Sequence, residues 1–285
     1  MRMHVWFSAD SLVLTVAQAA CVALPGAGLP SWAGRLRTRA WALVAPLSLA
    51  IVVPALSLLP STADVLTWCA LILVPIGCAL ALGWAGRRAR PWCACLAAPL
   101  LALTWALPGQ RIGQAAAMLL IAGSAITAGR LLARSAPLTW LKAGVVAMAA
   151  VDPLLVFLGR LAAPNAVLVA ASPGTGLPQL QSAAFAGSTL GYGDFFAAAL
   201  VGGILAVERS PQVLAAVGLV AASLVWNQLF LVYDMLPATI PPAIVLLTAG
   251  GWRRRKLRVA SRSAAAIAGS MKHLGAPLDG VEAAA

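Results

Sequence analysis

Residues Trp140 to Arg160 read WLKAGVVAMAAVDPLLVFLGR, and between Lys142 and Arg160 the only charged side chain is Asp152. An apolar run of this length, with a basic residue at each end, has the form of a membrane-spanning helix. About 20 apolar residues cover a hydrocarbon core roughly 30 Å thick. A carboxyl in the middle of such a run costs about 2.5–3.5 kcal/mol on insertion scales, so its presence there requires a reason.

The rest of the chain has the same character. Of its 285 residues, 61% are hydrophobic and 10% charged, against about 25% charged in soluble domains. The expected spans are Val5–Leu24, Ala40–Leu59, Val65–Ala85, Trp92–Leu107, Ile112–Leu132, Trp140–Leu158, Ser182–Val207, Val213–Tyr233 and Leu236–Trp252. This predicts an all-α, polytopic bundle of about nine transmembrane helices over residues 1–252. A basic cytoplasmic tail, 253–285, is expected to be largely disordered. The start resembles a secretory signal, with Arg2, an apolar run and small residues before Cys21. Asp10 interrupts that run and further spans follow, so a retained first span is expected.

The net charge of +12 does not indicate a nucleic-acid partner, because the basic residues stand at the ends of apolar runs. Of the 20 lysines and arginines, all but Arg2, Arg111 and Arg160 fall in alternate connections or in the tail. The positive-inside rule then places the N-terminus outside and the C-terminus in the cytoplasm, and the richness in Ala, Gly, Leu and Arg suggests a bacterial plasma membrane. Arg253-Arg254-Arg255-Lys256-Leu257-Arg258 is expected to rest on anionic lipid headgroups. The five cysteines lie in or beside apolar segments, and His4 and His273 lie near the termini. No metal or other cofactor is expected.

Span seven carries a second acid, Asp194. Helical rise places Asp152 about 15 Å from Lys142 and about 12 Å from Arg160, and Asp194 about 20 Å from both Gln181 and Glu208. Both carboxyls are thus expected near the bilayer midplane, on neighbouring antiparallel helices. Two carboxyls in contact share one proton, so one can act as acid and the other as base. Membrane acids also serve proton relays, ion pathways and structural hydrogen bonds, and depth alone does not choose among these. Three further expectations concern backbone. The connection from about Gly159 to Gln181 holds a β-prone stretch, Asn165–Ala170. Gly187 and Gly191 have the four-residue spacing of close helix packing. Pro241 and Pro242 are expected to break span nine locally.

Gly191-Tyr192-Gly193-Asp194 resembles the GxGD motif of presenilin and signal peptide peptidase, the intramembrane aspartyl proteases. That family carries the motif in the seventh of nine spans, a first catalytic aspartate in span six, and a Pro-Ala-Leu motif opening span nine. Here Asp152 lies in span six and Pro242-Ala243-Ile244 in span nine. The resemblance implies a catalytic core over about 140–252, with Asp152 and Asp194 catalytic and Gly191, Tyr192, Gly193, Pro242, Ala243 and Ile244 supporting the site. It also implies transmembrane-helix or signal-peptide substrates, with Asn165–Ala170 available to pair with an unwound strand. Val151 stands where the family has Tyr, and Ile244 where it has Leu. The prepilin peptidases share a GxGD but usually carry Lys where this chain has Phe196. A proton-coupled transporter using the two aspartates is the alternative from a different class.

Overall fold

The computed structural model describes residues 9–26, 28, 61–231 and 236–251, together with 40, 41, 47, 51, 52, 54–56, 58 and 59. The chain divides into a compact unit, Met1–Leu246, and a second unit, Leu247–Ala285. Half of the second expected span and the whole of the tail 253–285 lie outside the described residues.

The described elements are mainly helical. They are α1 (Ala9–Ala23), α2 (Ser61–Leu80, continued by a π-turn at Ala81–Ala85), a 3₁₀ turn (Pro91–Leu96) leading into α3 (Ala97–Ala106), α4 (Arg111–Ser135), α5 (Leu138–Phe157) and α6 (Ala162–Ala170). A hairpin, β1 (Ser182–Phe185) and β2 (Ser188–Gly191), precedes α7 (Tyr192–Val207) and α8 (Gln212–Asn227); α9 is the apolar helix Ile240–Gly251.

Three of these helices are long and apolar enough to cross a membrane: Ser61–Ala85, Arg111–Ser135 and Leu138–Phe157. The other apolar helices have 10–17 residues. In α4 the most apolar window is 78% buried, against 28% in each of the other two long helices. So α4 is the core of the bundle, packed against α1, α2, α3 and α7, while α2 and α5 turn apolar side chains outward. Trp68, Ile72, Leu73, Leu154 and Phe157 are all exposed, as expected where lipid is the solvent.

A close backbone approach joins α4 to α7. A Cβ at Gly129 would lie 2.5 Å from the Ala199 carbonyl, and one at Gly203 would lie 2.7 Å from the Gly129 oxygen. Glycine is required at both positions for the two backbones to meet. The small-residue contact expected of Gly187 and Gly191 is therefore made by Gly129 and Gly203. Gly187 is instead in the hairpin turn and Gly191 ends β2.

The hairpin is the largest departure from the expected spans, since the first ten residues of span seven are not helical. Ser182 pairs with Gly191, Ala183 with Leu190, Ala184 with Thr189 and Phe185 with Ser188. Ala186 (φ 47°) and Gly187 (φ 96°) both have positive φ, which a tight two-residue hairpin turn demands. Gln114 at the start of α4 accepts the Ala186 N–H at 2.9 Å and holds the turn.

Two further expectations are corrected. Residues 165–170 are part of α6, so the β-prone stretch is helical. Pro241 and Pro242 sit in the first turn of α9, where the missing N–H groups would have had no helical acceptor, and the helix runs on to Gly251.

Candidate functional site

Asp152 is buried in α5 and is followed by Pro153 within the helix. Proline lacks the N–H that would reach the Ala149 carbonyl, so the helix ladder is interrupted beside the carboxyl. The Asp152 carboxyl takes its partner from the segment leading into α9. Thr239 Oγ1 donates to Oδ2 at 2.7 Å, and the Thr239 N–H points to the same oxygen at 3.4 Å.

Asp194 is half-buried and lies in the first turn of α7, not in mid-helix. Its Oδ2 accepts the Gly191 N–H at 3.2 Å, the reach of an acidic third residue back to the helix cap. Gln18 of α1 donates to the Asp194 carbonyl at 3.2 Å. Tyr192 shares a hydrogen bond with Ser124 of α4 at 3.1 Å, and its N–H meets the Gln181 carbonyl at 3.1 Å. The start of α7 is thus fixed to α1, to α4 and to the hairpin.

The two aspartates lie on helices that pack together. Helix α5 packs on α7, and Lys142 Nζ at the start of α5 pairs with Glu208 Oε1 at the end of α7, 2.6 Å apart. From that common end Asp152 lies about 15 Å along its helix and Asp194 about 21 Å.

Asp194 opens onto a cavity of about 360 Å³, lined also by Ser11, Thr15 and Gln18 of α1, Ser188–Leu190 of β2, Ser223, Trp226 and Asn227 of α8, and Leu236, Ala238 and Pro241. Trp226 Nε1 donates to the Pro237 carbonyl at 3.0 Å and ties α8 to the segment carrying Thr239. Ser223 Oγ is buried with no hydrogen-bond partner among the described residues. A buried hydroxyl on the wall of so roomy a cavity is a natural ligand for water.

The remaining expected site residues are placed as follows. Gly191 and Gly193 are exposed, and a Cβ at Gly193 would meet nothing within 4 Å. Pro242 and Ala243 are buried and Ile244 is exposed. Of the two prolines it is Pro241 that lines the cavity. Asp152 is not on the cavity wall; Thr239 lies against its carboxyl. Sequence reasoning missed Thr239, Gln18 and Ser223. Only Thr239 carried a signal, a hydroxyl two residues before paired prolines.

No family model, curated protein or solved structure matches this chain.

Proposed function

We propose that this protein is an intramembrane aspartyl protease. In this reading it is a bacterial plasma-membrane bundle of nine spans, outside at its N-terminus and cytoplasmic at its C-terminus, that cleaves transmembrane helices or signal-peptide remnants. The observation that carries the reading is that Asp152 and Asp194 stand on two packed helices, α5 and α7, with Asp194 on a cavity bounded by β2 and the start of α9. One carboxylate takes a proton from a water while the water oxygen adds to the scissile carbonyl carbon. The other carboxyl gives its proton to the carbonyl oxygen. Collapse of the resulting diol breaks the C–N bond, and the amine leaves with a proton returned through the pair.

The neighbouring residues suit this chemistry. Gly191 and Gly193 leave open space for a peptide backbone beside Asp194. A substrate helix must unwind before its carbonyl can be attacked, because its own hydrogen bonds shield it. Strand β2 lines the cavity, and among the described residues it pairs only with β1. It is therefore the element to receive an extended peptide, in place of residues 165–170, which are helical. Ala238 and Pro241 flank Thr239, the partner of Asp152, and line the cavity.

The test is cleavage of a model membrane-span substrate by purified protein. Asp152→Asn and Asp194→Asn should each abolish cleavage, and the double change should be hardly worse than either, since members of one catalytic unit are not additive. Cleavage retained in either variant removes the reading. Proton-coupled uptake without cleavage in the unmodified protein would support the transporter instead.

A further inference from the structure

A second cavity, of about 560 Å³, lies at the end of the bundle that carries the Lys142–Glu208 pair. It is lined by Arg87, Arg88 and Arg209, with Gly26, Trp84 and Gln212 among its other walls. No acidic residue is among the described residues that line it. Among the described residues Arg87, Arg88 and Arg209 have no ion pair with a carboxylate.

The floor is rigid. The Gly26 N–H donates to the Ala85 carbonyl at 2.7 Å and the Arg87 N–H to the Leu24 carbonyl at 2.6 Å. Gln212 Nε2 lies 3.3, 2.9 and 3.2 Å from the carbonyls of Val22, Pro25 and Gly202.

Two of the arginines stand where the backbone favours glycine. Arg209 (φ 53°) follows the C-cap of α7. Its N–H bonds Ala206 O at 3.3 Å and the Ser210 N–H bonds Leu205 O at 2.9 Å. This is a Schellman ending, whose left-handed residue is usually Gly. Arg88 (φ 62°) is the third residue of a turn closed by the Ala89 N–H on the Gly86 carbonyl at 3.2 Å, again a glycine position. A charge that merely fixed membrane orientation could stand at any neighbouring position without strain. Among the described residues only one other non-glycine, Ala186, has positive φ. Left-handed strain that persists marks a side chain held for a purpose.

We propose that this basin binds a phosphate-bearing anion through Arg87, Arg88 and Arg209. The group is presented by an acidic phospholipid whose apolar part lies near Trp84. Guanidinium forks suit phosphate oxygens, and tryptophan favours the headgroup level. This site is independent of the aspartate chemistry.

The experiment uses the full chain in nonionic micelles, with thermal unfolding as the readout. Phosphatidylglycerol should raise Tm saturably and phosphatidylcholine should not. Arg88→Gly and Arg209→Gly should each weaken the response about tenfold, and without lipid each should unfold at the same or a higher temperature. Inorganic phosphate is titrated in parallel. An equal saturable shift, lost in the same variants, keeps the anion site but assigns it to soluble phosphate. The proposal is overturned if neither probe raises Tm, or if the double variant responds like the unmodified chain. It also falls if the response is lost only on changing Arg253, Arg254 and Arg255 to Gln, or if the glycine variants are less stable without lipid.

Discussion

Thr239 Oγ1 lies 2.7 Å from Oδ2 of Asp152, joining the middle of α5 to the segment that enters α9. A hydroxyl donating to a carboxyl orients it, and an interaction with a charged group is worth about 1.5–3 kcal/mol. Thr239→Val keeps the shape and removes the donor. It should lower kcat by about ten- to a hundredfold while leaving KM near its original value, because Thr239 acts through Asp152. Thr239→Ser should restore most of the rate. Equal loss in both variants would mean that the methyl packing matters and the hydroxyl does not.

Gly193 separates folding from chemistry. A Cβ there meets nothing within 4 Å, and the residue lies in the first turn of α7, where alanine is the better helix former. Gly193→Ala should therefore fold and insert with unchanged or slightly raised thermal stability. Yet the added methyl projects where a substrate backbone would approach Asp194, so cleavage should fall sharply. Full activity in a stable Gly193→Ala protein would mean that no peptide passes this face of the helix.

Gly129 should behave in the opposite way. Its missing Cβ is what lets α4 and α7 meet, and an added methyl would lie 2.5 Å from the Ala199 carbonyl. Overpacking of this kind costs about 1–3 kcal/mol. Gly129→Ala should lower the unfolding temperature, with activity lost only in proportion to unfolded protein. An unchanged melting curve would show that α4 and α7 can separate freely.

These contrasts show what the sequence could convey. Apolar runs bounded by charge marked α2, α4 and α5 because bilayer thickness imposes a length that composition reveals. The hairpin was hidden because residues 182–191 are mostly small, with only Ser182, Ser188 and Thr189 polar, a composition that serves strand or helix equally, and its Ala186-Gly187 turn lacks the usual Asn-Gly signal. Val167, Leu168 and Val169 suggested a strand, but local β preference yields to packing. There Val167 and Leu168 pack against the buried cluster of Leu56, Ala63 and Ala171. The Asp152–Thr239 bond joins residues far apart in the chain, and no local pattern encodes such a pairing. The two aspartates were legible because a carboxyl within an apolar run is costly wherever the run folds.

The cysteines test the membrane assignment itself. Cys69 is exposed on α2 and Cys95 is exposed at the start of the third helical segment, whereas Cys21 and Cys78 are buried. In detergent-free water Cys69 and Cys95 would be equally reachable. If α2 crosses a bilayer, Cys69 lies about 12 Å along it from Ser61 and faces lipid, where a charged maleimide cannot follow. Single-cysteine proteins in native membranes should then label at Cys95 and fail to label at Cys69, although both side chains lie on the protein surface. Orientation follows from the same reagent. If the positive-inside rule holds for the arginines at 87, 88 and 90, the Cys95 end is cytoplasmic, and an impermeant maleimide should reach Cys95 in inverted vesicles and not in intact cells. Labelling of Cys69 at the rate of Cys95 would remove α2 from the membrane, and labelling of Cys95 in intact cells would reverse the topology.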